Sequence, residues 1–171
     1  ISALIKAMKI NFIFKINSFI WKLLLKLNNI SVGKNFYTEG AIILKIRGVK
    51  KVPIVIEDNV SIFGNLDLRT REKGEIRVGS DVTFDSNIRL VAARSGSISI
   101  GKGTRIGCNT IMNAGEKILI EENCLIGSNC NINSSDHIIR GKKDCTFLGY
   151  KHYPITISKG VWLGTNVVIL P

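Results

Sequence analysis

Aliphatic side chains recur along this chain in a four-residue pattern that is repeated six times. In each copy two aliphatic residues flank one variable position, and a small or acidic residue follows; the copies begin at Ile30, Ile54, Ile76, Ile98, Ile118 and Ile155. Self-similarity of this kind is typical of stacked structural units that bury a core only together. The pattern therefore predicts a repeat protein.

A shorter period runs inside each unit. Ile120, Ile126 and Ile132 are six residues apart, and the residues four positions after such aliphatics are mostly small or β-branched, as in Thr104, Thr110, Cys124 and Cys130. A six-residue spacing fits neither the 3.6-residue period of a helix nor a long two-residue alternation. It predicts an all-β fold, a parallel β-helix of about six coils over residues 30–171. Each coil would have three short strands and stack on the next at about 4.8 Å.

The distances between units are close to the 18 residues of three hexapeptides. Val32, Ile56, Val78, Ile100 and Ile120 follow one another at 24, 22, 22 and 20 residues, and the small surplus indicates bulged corners. Ile120 and Ile157 are 37 residues apart, which predicts a loop extruded near residues 138–154. A β-sandwich is the alternative, but sandwiches do not hold a six-residue register through consecutive elements.

Residues 1–29 follow a different period. Apolar positions advance by three and four residues, and polar positions do the same on another face, which predicts an amphipathic helix; the apolar set is Ile5, Met8, Phe12, Ile16, Phe19, Leu23 and Leu27. Five lysines interrupt the segment too often for a membrane span. Two hypotheses stay open: the helix caps the open N-terminal end of the solenoid, or it lies on an anionic membrane surface. One helix could do both.

Charge and cysteine content narrow the classes of partner. The net charge is +11, and residues 1–51 contain ten Lys or Arg and one acid, Glu39. This charge lies on an apolar helix without an aromatic stacking platform, so nucleic acid is not the expected partner. The four cysteines form no CxxC pair and no cleavable signal is evident. We expect free thiols in a cytoplasmic protein, with the inner membrane face as the alternative site of the helix. Because Pro171 falls within a coil, we also expect the β-helix to be truncated at its C-terminus.

Only two histidines are present, His137 and His152, and both flank the predicted loop. His137 ends a coil at the point where the chain leaves the regular wall, and its side chain is expected to point outward. Histidine is the side chain best suited to take a proton at neutral pH. His137 is therefore the candidate general base, and His152 is expected to be a loop or subunit-contact residue.

The segments around this break resemble a known family. The run from Asn133 to His137, the loop, and the stretch from Tyr153 to Pro171 resemble the hexapeptide-repeat acyltransferases. Within these they look like the sugar O-acetyltransferases of the galactoside, maltose and capsular-polysaccharide type. The resemblance implies a left-handed coil and a homotrimer with each active site between neighbouring subunits. It also implies acetyl-CoA as co-substrate, a sugar or polysaccharide as acceptor, and direct transfer in a ternary complex.

The resemblance also implies roles for particular residues. His137 would be the catalytic base, Asn109 would lie near the acceptor, Trp162 would line the pocket of acceptor and cofactor, and Gly164 and Thr165 would contact the pantetheine arm. Asp136 could orient the base or bind substrate, although adjacent strand residues usually point opposite ways. Cys145 could carry an acyl group, but direct transfer disfavours this.

Three other functions remain as alternatives. The enzyme could instead acetylate the nitrogen of an amino sugar, or it could acetylate serine, because the loop sequence does not define the acceptor. A non-catalytic β-helical scaffold is the alternative outside enzymes. A carbonic-anhydrase-like metal site needs about three histidine ligands, so no metal is expected with two histidines present.

Overall fold

The computed structural model describes residues 2–47 and 54–171, and its architecture is a parallel β-solenoid with one N-terminal helix. Helix α1 covers Ser2–Leu27. Three sheets of six parallel strands follow, so each sheet takes one strand from each of six coils. The all-β fold predicted from the six-residue spacing is confirmed. Residues 48–53, which join the first two coils, lie outside the described part of the chain.

The strands succeed one another around the three sheets. The first sheet contains β1 (Ser31–Val32), β4 (Ile54–Ile56), β7 (Glu75–Val78), β10 (Ser97–Ile100), β13 (Ile118–Ile120) and β18 (Ile155–Ile157). The second contains β2 (Tyr37–Thr38), β5 (Ser61–Ile62), β8 (Thr83–Phe84), β11 (Arg105–Ile106), β14 (Leu125–Ile126) and β19 (Trp162–Leu163). The third contains β3 (Ile42–Arg47), β6 (Leu66–Arg71), β9 (Ile88–Ala92), β12 (Ile111–Ala114), β15 (Asn131–Asn133) and β20 (Val168–Ile169).

The register of the first sheet agrees with the spacing read from the sequence. Val32 pairs with Ile56, and Ile100 pairs with both Val78 and Ile120. Ile120 then pairs with Ile157 across the extruded segment. The surplus residues were expected as bulged corners. Instead they partly lengthen the strands of the third sheet, from three residues in β15 to six in β3 and β6.

The core is a column of mostly aliphatic side chains, with two or three inward positions in many of the strands. The positions predicted from the hexapeptide register are buried, including Phe84, Ile106 and Ile132. The small and β-branched positions link successive coils. The Thr110 hydroxyl donates to the Gly127 carbonyl at 3.1 Å and accepts from the Cys130 amide at 3.3 Å. These contacts satisfy the Thr110 hydroxyl and the Cys130 amide along the solenoid axis.

Helix α1 covers the outer edge of the first coil. In β2 the amides of Tyr37 and Glu39 donate to the second coil, so the N–H and C=O of Thr38 point away from it. The Thr38 amide donates to the Ser18 hydroxyl at 2.8 Å, and the Asn17 side-chain amide donates to the Thr38 carbonyl at 3.0 Å. Unpaired backbone groups at a sheet edge need such partners. The helix thus caps the N-terminal end of the solenoid.

The extruded segment is a hairpin, not an irregular loop. Strand β16 (Ser135–His137) pairs antiparallel with β17 (Tyr150–His152), and a 3₁₀ turn at Cys145–Phe147 lies between them. The chain leaves the third sheet after β15 and returns to the first sheet at β18. The hairpin therefore stands at the corner between those two sheets.

Candidate active site

His137 lies at the outer end of the β16 arm and is exposed to solvent. It pairs in register with Tyr150 of β17, and the two ring centroids are 4.3 Å apart with planes inclined by 47°. An exposed imidazole held against an aromatic face can exchange a proton with a bound ligand. The outward orientation expected from the sequence is observed.

Asp136 does not touch the imidazole of its neighbour. The backbone amide of His137 donates to Asp136 Oδ1 at 2.8 Å, so this carboxylate fixes the local backbone. Asp136 is exposed and pairs in register with Lys151. In this arrangement Asp136 holds the position of His137 through the main chain, and it does not orient the ring.

A cavity of about 410 Å³ lies against the hairpin, on the third sheet. Tyr150 and His152 lie on its hairpin side, and asparagine, arginine and glutamate side chains from successive coils form much of the remainder; these are Asn113, Asn133, Arg71, Arg94 and Glu72. Tyr150 contacts the His137 ring and also lines the cavity. A polar cavity beside an exposed histidine is suited to a ligand rich in hydroxyl groups.

His152 lies in this cavity and is more than a loop residue. Its Nδ1 is 2.8 Å from the Ser135 hydroxyl, and its Nε2 is buried without a hydrogen-bond partner among the described residues. Gly115 packs so closely here that a Cβ would collide with both side chains. Sequence reasoning missed this pair, although Ser135 and His152 are in register across the hairpin. Gly115, at the point where the backbone comes close to these two side chains, was the available signal in the sequence.

Two arginines, Arg71 and Arg94, and one glutamate, Glu72, line the cavity, so its side chains carry a net positive formal charge. The Arg94 guanidinium lies over the Tyr150 ring, 5.6 Å from its centroid. The Glu72 carboxylate accepts from the Arg94 backbone amide rather than from a guanidinium. Neither Arg71 nor Arg94 forms an ion pair within the described residues. Two free guanidinium groups favour a ligand that carries a carboxylate.

Asn109 is at a different corner, where the chain turns from the second sheet to the third. It adopts a left-handed conformation with φ of 58°. Its side chain accepts from the Asn87 amide at 3.3 Å and donates to Asn129 at 3.2 Å, so it belongs to a ladder of corner asparagines. Asparagine tolerates this conformation better than most residues. Within one chain, Asn109 and His137 are not brought together.

A second cavity beside Asn109, of about 300 Å³, contains a charged cluster. Asp67 accepts from Arg69 at 2.6 Å and from Arg89 at 3.0 Å. The hydrogen bond from Arg69 is the main reason that the pKa of the Asp67 carboxyl lies below its usual range, and the charge of Arg89 acts in the same direction. The cluster joins three side chains of two adjacent coils. Its role is therefore to stabilise the pairing of β6 with β9 rather than to form a ligand site.

Trp162 is on the second sheet, in the last coil, and is 75% exposed. It borders a groove of about 280 Å³ with Phe63, Arg105 and Leu125 from earlier coils. Gly164 follows β19, and its carbonyl accepts from Cys130 Sγ at 3.2 Å. Thr165 is exposed in the same turn. The expected cofactor residues therefore lie together on one edge of the solenoid.

The expected parts of the site occupy different sides of one chain. His137 is at the corner between the third and first sheets, whereas Trp162 is on the second sheet, opposite that corner. A three-sided coil cannot bring these side chains into contact.

The remaining features of interest are thiols and the absence of a spanning helix. Cys108, Cys124 and Cys130 are free, and nothing is described of the Cys145 side chain. Among the described residues no three His, Cys, Asp or Glu side chains group as metal ligands would. Over the same part of the chain, no helix has the length and apolar character needed to cross a bilayer.

Comparison with known proteins finds similarity to a solved structure. No protein-family model matches the chain, and no curated protein matches it. The chain is similar to the polySia-specific acetyltransferase NeuO, with 22% identity over 84% of this chain and 70% of that chain, and a TM-score of 0.39. A similarity of this size says nothing of the activity of the present chain.

Proposed function

We propose that this protein transfers the acetyl group of acetyl-CoA to a hydroxyl of a saccharide, with His137 as general base. The observation that carries the proposal is the position of His137. The six-coil register is interrupted on a large scale once in the described chain, and this histidine lies on the hairpin formed there. The resemblance of the segments on both sides of the hairpin to hexapeptide-repeat acyltransferases supplies the reaction class. That resemblance also implies the left-handed coil.

The proposed reaction needs one proton carrier and no covalent enzyme intermediate. Neutral His137 takes the proton of the acceptor hydroxyl as its oxygen attacks the thioester carbonyl. The tetrahedral intermediate then expels the sulfur of coenzyme A, which takes the proton from the imidazolium. Backbone N–H groups near Thr165 would stabilise the oxyanion. The products are an acetyl ester and the free thiol.

We place the acceptor in the cavity between the hairpin and the third sheet. Arg71 and Arg94 of the solenoid and Tyr150 of the hairpin line it, and the two guanidinium groups have no carboxylate partner in the described residues. An acidic saccharide would satisfy them. Acidic sugars should therefore be better acceptors than neutral sugars of the same size.

The test is release of thiol from acetyl-CoA in the presence of a panel of neutral, acidic and amino sugars, and of serine. His137→Ala should lower kcat by about 10²–10⁴ without lowering the melting temperature, because the side chain is exposed. Lys151→Ala, an exposed residue of the facing strand, is the matched control. Unchanged turnover in His137→Ala would remove His137 from the mechanism.

Variants of the second histidine separate the two candidates. His152→Ala should raise KM for the acceptor more than it lowers kcat, because His152 lines the cavity. If kcat falls in His152→Ala but not in His137→Ala, the general base is His152. A protein that binds no acetyl-CoA would favour the scaffold.

We further propose that the active site is completed by a second subunit of a homotrimer. The separation of His137 and Trp162 on different sides of one chain supports this. Inactive His137→Ala and Trp162→Ala proteins, unfolded together and refolded as a one-to-one mixture, should regain activity at about a quarter of their sites if subunits exchange at random. No recovery in mixed oligomers would show that each chain carries its whole site.

A further inference from the structure

Helix α1 docks on the solenoid with a side that carries both polar and large apolar residues. Asn17 and Ser18 bind the backbone of β2, and Lys22 donates to the Gly33 carbonyl. On the same side Leu25 is buried, Trp21 packs partly against the core, and the Phe14 ring meets the Tyr37 ring edge to face at 6.5 Å. The docked side of the helix thus supplies hydrogen-bond partners for the backbone groups at the edge of the first coil.

The opposite side of the helix is apolar and uncovered. Its members recur at spacings of three and four residues, and each is 40–70% exposed; they are Phe12, Ile13, Ile16, Phe19, Ile20, Leu23, Leu24 and Leu27, here called the apolar face. At 100° per residue they form one continuous stripe centred opposite Ser18. A contiguous patch of this kind marks an interaction site with a protein or a membrane.

Basic side chains border the apolar face. Lys15 and Lys26 are exposed and lie eleven residues, three turns, apart, so they share one edge of the stripe. The adjoining first coil adds exposed Lys34, Lys45 and Arg47. Glu39 is the one acidic residue between residues 1 and 51, and it accepts from the Tyr37 hydroxyl. The surroundings of the stripe are therefore suited to an anionic partner.

From these observations we propose that α1 docks the protein on an anionic lipid bilayer, with the apolar face in the interface. Hydrogen bonds hold the helix flat on the first coil, so it can lie in the membrane plane but cannot insert end-on. Such helices bury their apolar side about 5–10 Å below the headgroups, while lysines remain at the phosphates. The apolar face of a second copy of this chain is disfavoured as the partner, because this contact would bring two sets of lysines together.

The test is co-sedimentation of the full chain with phosphatidylcholine vesicles, with and without phosphatidylglycerol. Binding should be about tenfold or more stronger to the anionic vesicles and should weaken with added salt. Equal binding to both vesicle types, or binding to neither, would overturn the proposal. This comparison needs no variant.

A matched pair of double variants locates the contact. Phe19→Ser with Leu23→Ser should reduce vesicle binding by about tenfold or more. Phe147→Ser with Ile139→Ser removes apolar groups of similar exposure from the hairpin and should leave binding unchanged. If the α1 variant binds vesicles as the wild type does, the apolar face is not the contact. If that variant instead lowers the oligomer mass measured by light scattering, the face is a subunit contact and the proposal is wrong.

Discussion

The solenoid wall and the hairpin of residues 135–152 are built on opposite principles. In the wall, each inner coil hydrogen-bonds to the coils on both sides, and inward positions such as Phe84 and Ile98 are completely buried. In the hairpin, one antiparallel ladder and the Tyr150 ring contacts hold two short arms whose side chains are half-buried or exposed. Both histidines of the chain are in the hairpin or its arms.

This difference separates stability from chemistry. A wall residue is surrounded by neighbours from three coils, so its size and polarity are constrained by packing. A hairpin residue has few such neighbours, and polar groups there cost little. A solenoid can therefore carry a reactive site with little loss of stability by interrupting its repeat.

The largest difference in unfolding free energy should come from truncating one phenylalanine in the wall and one in the hairpin. Phe84→Ala leaves a cavity at a fully buried wall position and should cost about 3–5 kcal/mol of unfolding free energy. Phe147→Ala, at an 87% exposed hairpin position, should change it by less than about 0.5 kcal/mol. Chemical denaturation of both variants measures the difference. Similar losses would mean that the hairpin is part of the cooperative core.

Removing a hydroxyl in each region gives the next comparison. Thr110→Val leaves the buried Cys130 amide without its acceptor and should destabilise the protein by about 1–3 kcal/mol. Ser135→Ala removes the partner of His152 at a half-buried position. Its main effect should be on acceptor KM, with less than about 1 kcal/mol of destabilisation. A Ser135→Ala variant that unfolds as readily as Thr110→Val would contradict the separation.

The charged cluster at Asp67 should make a smaller contribution that depends on pH. Because Arg69 holds the pKa of Asp67 below its usual range, the carboxylate stabilises the folded state above the unfolded pKa of about 4. Asp67→Asn should cost about 1 kcal/mol at neutral pH, after allowance for solvent screening. This cost should vanish as the pH falls through the folded pKa. Thermal unfolding of both proteins between neutral and acid pH checks the sign, with Lys159→Ala as an exposed ion-pair control.

The smallest effect should be at Asn109, which belongs to the corner ladder of the wall and is also the residue expected near the acceptor. Asn109→Gly keeps the left-handed backbone and loses the ladder, whereas Asn109→Ala loses both. We expect about 0.5–1 kcal/mol between the two variants. If Asn109 is only a ladder residue, both should keep the acceptor KM. A raised KM in both would support a role near the acceptor of a neighbouring subunit.

Most of the wall could be predicted from the sequence because its physics is periodic. A six-residue register fixes which side chains point inward, and the pairing of Ile120 with Ile157 follows from the same spacing. The hairpin could be predicted only as an extrusion, because three-residue arms have no detectable period. The contact of Ser135 with His152 depends on a pairing register that residue types do not specify.

The sequence also could not predict which side of α1 docks on the solenoid. The three-to-four-residue pattern predicts an amphipathic helix but does not say which side meets the solenoid. The open coil edge presents backbone N–H and C=O groups, which bind Asn17 and Ser18 better than aliphatic side chains. Because Asn17 and Ser18 face the coil edge, Phe12, Phe19 and Leu23 on the opposite side of the helix face outward.

The bonds from Asn17 and Ser18 to Thr38 also govern self-assembly. An uncovered coil edge is a template on which another chain can continue the same sheets, and repetition of that contact would grow a fibre. By occupying the Thr38 amide and carbonyl, the helix terminates such growth at this end. A helix of this design, moved to the first coil of an artificial β-solenoid, would serve as a polymerisation stop.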